Sequence, residues 1–239
     1  MSDPRLAVDG LGFGFGDVRI LDDATFSLDA GTVTAVVGPN GSGKTTVLEL
    51  LAGLRRPDTG TVERPTGDGR DVAYLPQSPA FRPWFTVAET IRFYEALSGV
   101  DGSAADALSE VGLDDVAGRR VDALSGGMTR LLGIAQALVG DPPAVLLDEP
   151  TSGLDPDVTD RIFGATATLA DEGRVVVVAS HDVAAVEEWA DRVLLVAGGA
   201  VVADDTPAGL LDRTDADTLR RAFSALVRTE RTVPAGGEA

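Results

Sequence analysis

The stretch Gly38-Pro39-Asn40-Gly41-Ser42-Gly43-Lys44-Thr45 constrains this chain more than any other. A loop with the spacing G-x-x-x-x-G-K-[ST] turns successive backbone N–H groups inward, where they can encircle phosphate oxygens. That chemistry needs a strand before the loop and a helix after it, so that the helix N-terminus adds its positive dipole end. Both flanks are legible. Thr32–Val37 is a compact apolar strand, and Thr45–Leu54 reads as a helix with Val47, Leu48, Leu50 and Leu51 on a broad apolar face. Lys44 would reach the β- and γ-phosphates, and the Thr45 hydroxyl would ligand Mg²⁺. The bland alternative is a tight glycine turn between strand and helix. Against it stands the composition, because Lys44 is the single lysine of the chain and arginine supplies the other basic residues.

The rest of the chain supports an α/β reading. Leu6 to Leu28 has short apolar runs broken by Gly and Asp, which suggests antiparallel strands. Val72–Leu75 is a short strand. Ala144–Leu147 and Val175–Ala179 are continuous apolar runs, as expected for parallel strands covered on both faces. Helices fit Asp157–Ala170 and Val183–Ala190, and a final pair of strands, Arg192–Val196 and Ala200–Ala203, precedes a helical tail. Between Thr86 and Gly140 the apolar spacing turns helical. The expectation is one domain with a core over about 1–78 and 141–213, a helical insertion over about 79–140 and a C-terminal helical tail over about 214–239.

Composition excludes several classes. No apolar run approaches the about 20 residues a membrane-spanning helix needs. The N-terminus lacks a basic-then-apolar leader, and cysteine is absent, so disulfide frameworks and thiolate metal sites are ruled out. A soluble cytoplasmic protein is expected. A formal net charge of −18 opposes nucleic acid as a partner, since phosphate contacts need clustered cations. The acidity is carried by Asp more than Glu. Such a lysine-poor, Asp-rich surface suits a salt-loving host, where hydrated carboxylates keep the chain soluble and salt screens their repulsion. A GC-rich genome exchanging Lys for Arg is the alternative.

Two more segments carry chemistry. Ala144-Val145-Leu146-Leu147 ends in Asp148-Glu149. A carboxylate at the C-terminal edge of a strand beside the phosphate loop can hold Mg²⁺, which suits Asp148, through water. Glu149 could accept a proton from the water attacking a γ-phosphate. Alone, such a pair is usually a solvated strand end. Leu124-Ser125-Gly126-Gly127-Met128 precedes a helix through Gly140, so Ser125 could cap it and the glycines would leave amides open to an anion. Alone, this is a plain capped helix start.

Together these residues closely resemble the nucleotide-binding subunits of ABC transporters. The resemblance covers residues 5–212 and supplies a Walker A loop (Gly38–Thr46), a Q-loop glutamine (Gln77) and a signature (Leu124–Met128). A Walker B strand (Val145–Glu149), a D-loop (Ser152-Gly153-Leu154-Asp155) and a switch histidine follow. That histidine is His181, the sole one in the chain. The resemblance implies a P-loop NTPase core with a mostly parallel sheet, an N-terminal antiparallel β portion and an inserted α-helical subdomain. ATP and Mg²⁺ are implied as ligands, with Thr46 completing the loop and Gln77 sensing Mg²⁺ and the attacking water. His181 would hold the γ-phosphate and link Glu149 to Asp155 of a partner subunit. Ser125, Gly126 and Gly127 would touch ATP held by that partner in a head-to-tail dimer. Phe15 falls where the family places an adenine-stacking ring, ahead of Phe13 by position.

One departure is the signature's last residue, Met128 in place of Gln, with the following basic residues thinned to Thr129-Arg130. Met at this place resembles the ATPases of ABC-2-type transporters with simple six-helix membrane partners. The implied function is ATP hydrolysis driving transport by a separate multi-span membrane permease, the chain sitting peripherally on the inner face of the membrane. Phe81, Trp84 and Phe85 would line the groove for that partner, or pack the helical insertion. A non-transport ABC ATPase, such as one for iron–sulfur assembly, is the alternative. A kinase or GTPase would leave the signature and His181 unexplained. The halophilic reading predicts loss of structure in dilute buffer, and a circular dichroism melt unchanged between low and molar salt would refute it.

Overall fold

The computed structural model describes residues 5–67, 69–99 and 104–232. Strands β1 (Arg5–Phe15) and β2 (Val18–Asp29) pair antiparallel across a two-residue connection in which Gly16 takes a φ of 58°. Such a connection needs left-handed backbone, which glycine adopts without steric cost. Next come β3 (Thr32–Val37), the phosphate-type loop and α1 (Lys44–Leu51). β4 (Thr59–Glu63) returns to pair antiparallel with the other side of β1, making a three-stranded sheet.

A second sheet holds the site. β5 (Val72–Leu75) leads into α2 (Val87–Ser98), α3 (Ala104–Glu110) and α4 (Gly126–Leu138), and the chain re-enters the sheet as β6 (Ala144–Asp148). Then follow α5 (Pro156–Asp171), β7 (Val175–Ala179), α6 (Val183–Trp189), β8 (Arg192–Ala197) and β9 (Ala200–Asp205). α7 (Pro207–Thr214) and α8 (Leu219–Thr232) close the described chain. The order is β5-β6-β7-β3-β8-β9, parallel except that β9 runs against β8. The mostly parallel sheet, the antiparallel β portion and the helices inserted between β5 and β6 match the fold expected of the sequence.

Burial explains why β6 and β7 read as unbroken apolar runs. Every residue of both strands is buried. Val145, Leu147, Val176 and Val178 face a core shared with α2, α3, α4 and α5. Ala144, Leu146, Val175 and Val177 face the opposite core, shared with β1, β2 and α1. A third cluster joins Ala35, Val37, Val193 and Leu195 to α6, α7 and α8. At about 1.5–3 kcal/mol per fully buried aliphatic side chain, these layers hold the strands in register.

Local signals set the helix ends. Thr86 and Glu89 form a reciprocal capping box at α2, and Ser125, Asp155, Asp182 and Thr206 each accept a backbone N–H at the start of α4, α5, α6 and α7. α1 stops at Leu51, three residues short of the sequence reading. Gly53, at a φ of 74°, ends it: Gly53 N donates to the Leu50 carbonyl and Leu54 N to the Glu49 carbonyl. Sequence patterning missed β4 altogether. Its residues Thr-Gly-Thr-Val-Glu are exposed apart from Val62, so pairing with β1 rather than an apolar face makes it a strand.

The glycine pair that opens α4 splits in role. Gly126 has room around it, whereas a Cβ on Gly127 would lie 2.5 Å from Val158 Cγ1 and 3.3 Å from its Cβ. Gly127 therefore lets α4 approach α5. Gly127→Ala gains helix propensity but overpacks this contact, and is expected to lower unfolding free energy by about 1–2 kcal/mol. Adding Val158→Ala should recover much of it. Denaturant titration in molar salt checks both, and an unchanged Gly127→Ala midpoint would count against the close-packing explanation.

Candidate functional site

β3, β6 and β7 deliver their C-terminal ends to one edge of the sheet, because they lie side by side and parallel. After β3 comes the loop Gly38–Gly43, after β6 comes Glu149, and after β7 come Ser180 and His181. These segments, with Gln77 beyond β5, line a cleft of about 540 Å³ together with Ile20, Asn40, Gly41, Gly43, Lys44, Thr45 and Thr46. A volume of that order suits a small-molecule ligand.

The loop is shaped by close approaches. A Cβ on Gly38 would sit 2.1 Å from the Val196 carbonyl oxygen and 2.6 Å from Ser42 Oγ, so only glycine fits against β8. Gly41 and Gly43 hold φ values of 79° and 93°, the left-handed region. Lys44 folds over the loop, donating from Nζ to the Gly38 carbonyl at 3.1 Å. Ser42 Oγ is buried and makes no hydrogen bond among the described residues.

Glu149 has the most constrained backbone of the cleft. Its φ of 49° places a non-glycine residue in the left-handed region, at a cost of about 1–3 kcal/mol. Its N–H is captured by the Ala179 carbonyl at 2.9 Å. The carboxylate is buried and split between two partners. Oε2 lies 2.6 Å from His181 Nδ1, and Oε1 lies 4.0 Å from Lys44 Nζ. The His181 side chain is 55% exposed.

Asp148 lies one residue back and is almost wholly buried. Tyr74, on the neighbouring strand β5, donates its hydroxyl to Asp148 Oδ2 at 3.4 Å, while Oδ1 accepts no hydrogen bond among the described residues. Burial pushes the Asp148 carboxyl above its usual range, opposed by the Thr45 hydroxyl, with the Glu149 charge adding to the rise. Burial and the Asp148 and Glu49 charges also push the Tyr74 hydroxyl well above its ordinary value, so it stays a donor. A buried carboxylate with an orphaned oxygen beside a threonine hydroxyl fits a hard divalent cation, which would remove the electrostatic penalty. The residues present therefore fit Mg²⁺.

Lys44, Thr45, Thr46, Gln77, Glu149 and His181 thus share one cleft, with Asp148 beneath it. Ser125, Gly126 and Gly127 do not line it. Ser125 is occupied in part as the cap of α4, its Oγ accepting from Met128 N at 3.3 Å. Phe15 does not line the cleft either. Its ring is 48% exposed, meets Phe13 edge-on at 5.1 Å and carries the Arg55 guanidinium 5.1 Å above it, while Phe13 is buried. Ile20 and Tyr74 were not singled out by sequence reasoning. An isoleucine within a strand and a tyrosine on a short strand carry no motif; only its place beside the loop marks Ile20, and only its hydroxyl at Asp148 marks Tyr74.

The aromatic stretch after Gln77 is part packed and part exposed, with Phe93 itself 36% exposed. Trp84 is 65% exposed, whereas Phe81 packs on the helical core and Phe85 on Phe93.

Comparison with known proteins identifies the family. Residues 21–152 match the family model described as ABC transporter. The chain belongs to this family. It is 36% identical over 252 residues to a probable anion import ATP-binding protein of Haloferax volcanii, covering 92% of this chain and 86% of the relative. It is 38% identical over 232 residues to the phosphonates import ATP-binding protein PhnC 1 of Natronomonas pharaonis, covering 88% and 97%. A Nod factor export ATP-binding protein I of Burkholderia lata is 34% identical over 211 residues, covering 83% and 69%. Among solved structures, an ATP-binding cassette of an ABC transporter in its ADP conformation superposes with a TM-score of 0.80 at 21% identity, over 97% of this chain and all of that one. That likeness concerns the fold.

As a member of the family, the chain is an ATP-binding, transport-coupled ATPase subunit, and the relatives favour this over a non-transport role. The acidic, lysine-poor composition fits the Haloferax and Natronomonas relatives and the halophilic reading. Among the described residues, no helix is long and apolar enough to cross a membrane.

Gly38→Ala is expected to weaken ATP binding about tenfold or more, since overpacking against backbone costs about 1–3 kcal/mol. Titration with a fluorescent ATP analogue in high salt checks this. Wild-type affinity would mean that the loop yields without loss.

Proposed function

We propose that the chain hydrolyses ATP with Mg²⁺ at the cleft, and that the resulting opening and closing of a two-subunit assembly drives a separate multi-span membrane permease. The pairing of Glu149 with His181 at 2.6 Å, beside Lys44 and the glycine loop, supports this reading best.

In the ground state the backbone amides of Gly38–Gly43 and the α1 N-terminus bind the phosphates, with Lys44 exchanging its Gly38 carbonyl for β- and γ-phosphate oxygens. Thr45 and Asp148, with Gln77, would hold Mg²⁺, which supplies neutralisation of charge on the transferring phosphoryl group. Glu149, fixed by its backbone and by His181, takes the proton of the attacking water. His181 keeps the carboxylate aimed through Nδ1, and as the imidazolium it would also donate from its other nitrogen to the γ-phosphate. Removing the clash of two negative groups this way is worth more in a closed, water-poor site.

Ser125, Gly126 and Gly127 stand apart from this cleft, which supports their acting in trans. Two copies meeting head-to-tail would set each signature against the nucleotide of the other. Phe15 offers an exposed ring for adenine, and Trp84 an exposed aromatic for the permease. We assign about 79–140 as the helical subdomain, about 1–78 and 141–213 as the core, and about 214–239 as the tail; residues 1–4, 68, 100–103 and 233–239 lie outside the described residues. The chain would sit on the inner face of the membrane through its permease. The relatives' cargoes range from anions and phosphonates to Nod factors, consistent with cargo choice residing in the membrane subunit.

Glu149→Gln should bind ATP but lose nearly all turnover, by roughly 10²-fold or more for loss of a general base, and trap a dimer. ATPase assays with size-exclusion chromatography check this, and hydrolysis at the wild-type rate would overturn the assigned base. Affinity capture from detergent-solubilised host membranes in high salt should recover a multi-span protein. Recovery of soluble assembly proteins alone would argue against the transport partner.

A further inference from the structure

Asp148 has two oxygens in different situations. Oδ2 accepts a long hydrogen bond from the Tyr74 hydroxyl at 3.4 Å, Oδ1 is buried and makes no hydrogen bond of good geometry among the described residues, and the Thr45 hydroxyl also acts on the carboxylate. Tyr74 lies on β5 and Asp148 at the end of β6, strands paired in parallel with Tyr74 opposite Leu146, so the sheet fixes the approach of the hydroxyl. We propose that Tyr74 is a positioning residue for the divalent metal: its hydroxyl engages Oδ2 and so leaves Oδ1 for the cation held with Thr45.

The inference rests on the nucleotide and metal reading above and adds to it a residue that no motif contains. A carboxylate free to rotate would share both oxygens between Lys44, Thr45 and the cation. One held at Oδ2 presents one oxygen in one orientation to the cation or to its water, with less to reorganise on binding. The Tyr74 ring packs half-buried against the core beside α1, so its orientation does not depend on the hydroxyl. Glu49 and Arg55, which pair with each other, lie close enough to act on Tyr74 electrostatically.

Tyr74→Phe tests this, because it keeps the ring and removes only the donor. The full chain is prepared in molar salt with a non-hydrolysable ATP analogue, and free Mn²⁺ is followed by electron paramagnetic resonance. The variant is expected to bind Mn²⁺ about tenfold more weakly, in the range found when a partner of a metal ligand is removed. Nucleotide affinity in excess chelator should be unchanged, and ATPase should recover its wild-type kcat once Mg²⁺ is raised. Wild-type Mn²⁺ affinity in the variant overturns the positioning role. Weakened metal-free nucleotide binding overturns it too, since the hydroxyl would then serve the fold of the cleft. If the wild-type chain itself shows no nucleotide-dependent Mn²⁺ binding, it is the underlying metal reading that falls.

Discussion

Glu149 leaves β6 in a left-handed backbone conformation, and the Ala179 carbonyl on β7 holds its N–H. That bond depends on β6 and β7 being parallel neighbours in fixed register, with Asp148 opposite Ala179. The same register sets His181, two residues beyond Ala179, within 2.6 Å of the Glu149 carboxylate. Slipping β7 by one residue would exchange its two buried faces and carry the histidine away. The strain at Glu149 persists because two apolar layers hold the register.

Those layers also explain how a chain of net charge −18 condenses around so few cations. The arginines that matter are shared. Arg174, nearly buried, pairs with Glu110 at the end of α3, with Asp141 before β6 and with Glu172 after α5. Arg192 grips Asp204 through two hydrogen bonds of 2.6 and 2.8 Å and reaches Asp29. The first ties the helical portion to the base of the sheet, and the second ties β8 to β9 and to the antiparallel sheet. Partly buried pairs of this kind are screened by salt less than exposed ones. Salt can therefore relieve the repulsion among surface carboxylates without dissolving the links inside.

The cleft and the α4 N-terminus lie apart on one chain, and close packing is the reason. Gly127 sits against Val158, so α4 is docked on α5 rather than beside the phosphate loop. Arg55 ties Phe15 to α1 through Glu49, outside the lining of the cleft. The residues proposed to act in trans and on adenine are thus placed by contacts that have nothing to do with a ligand.

Much of this was legible in the order of residues. The glycine loop, its single lysine, the two acids ending an apolar strand and the lone histidine after another are local patterns whose chemistry needs no distant information. Strands buried on both faces announce themselves as unbroken apolar runs. Other features had no local signature. β4 is polar and becomes a strand only by pairing with β1. α1 ends early because Gly53 turns left-handed. Nothing in the short run Val72–Leu75 marks Tyr74, whose hydroxyl finds Asp148 only because β5 and β6 are neighbours in the sheet. Sequence by itself determined which chemical groups the chain owns and which segments must be buried, since both follow from residue type and spacing. Tertiary structure alone decided which groups meet and which oxygen of Asp148 stays open, because those are set by strand order and register across residues far apart in the chain.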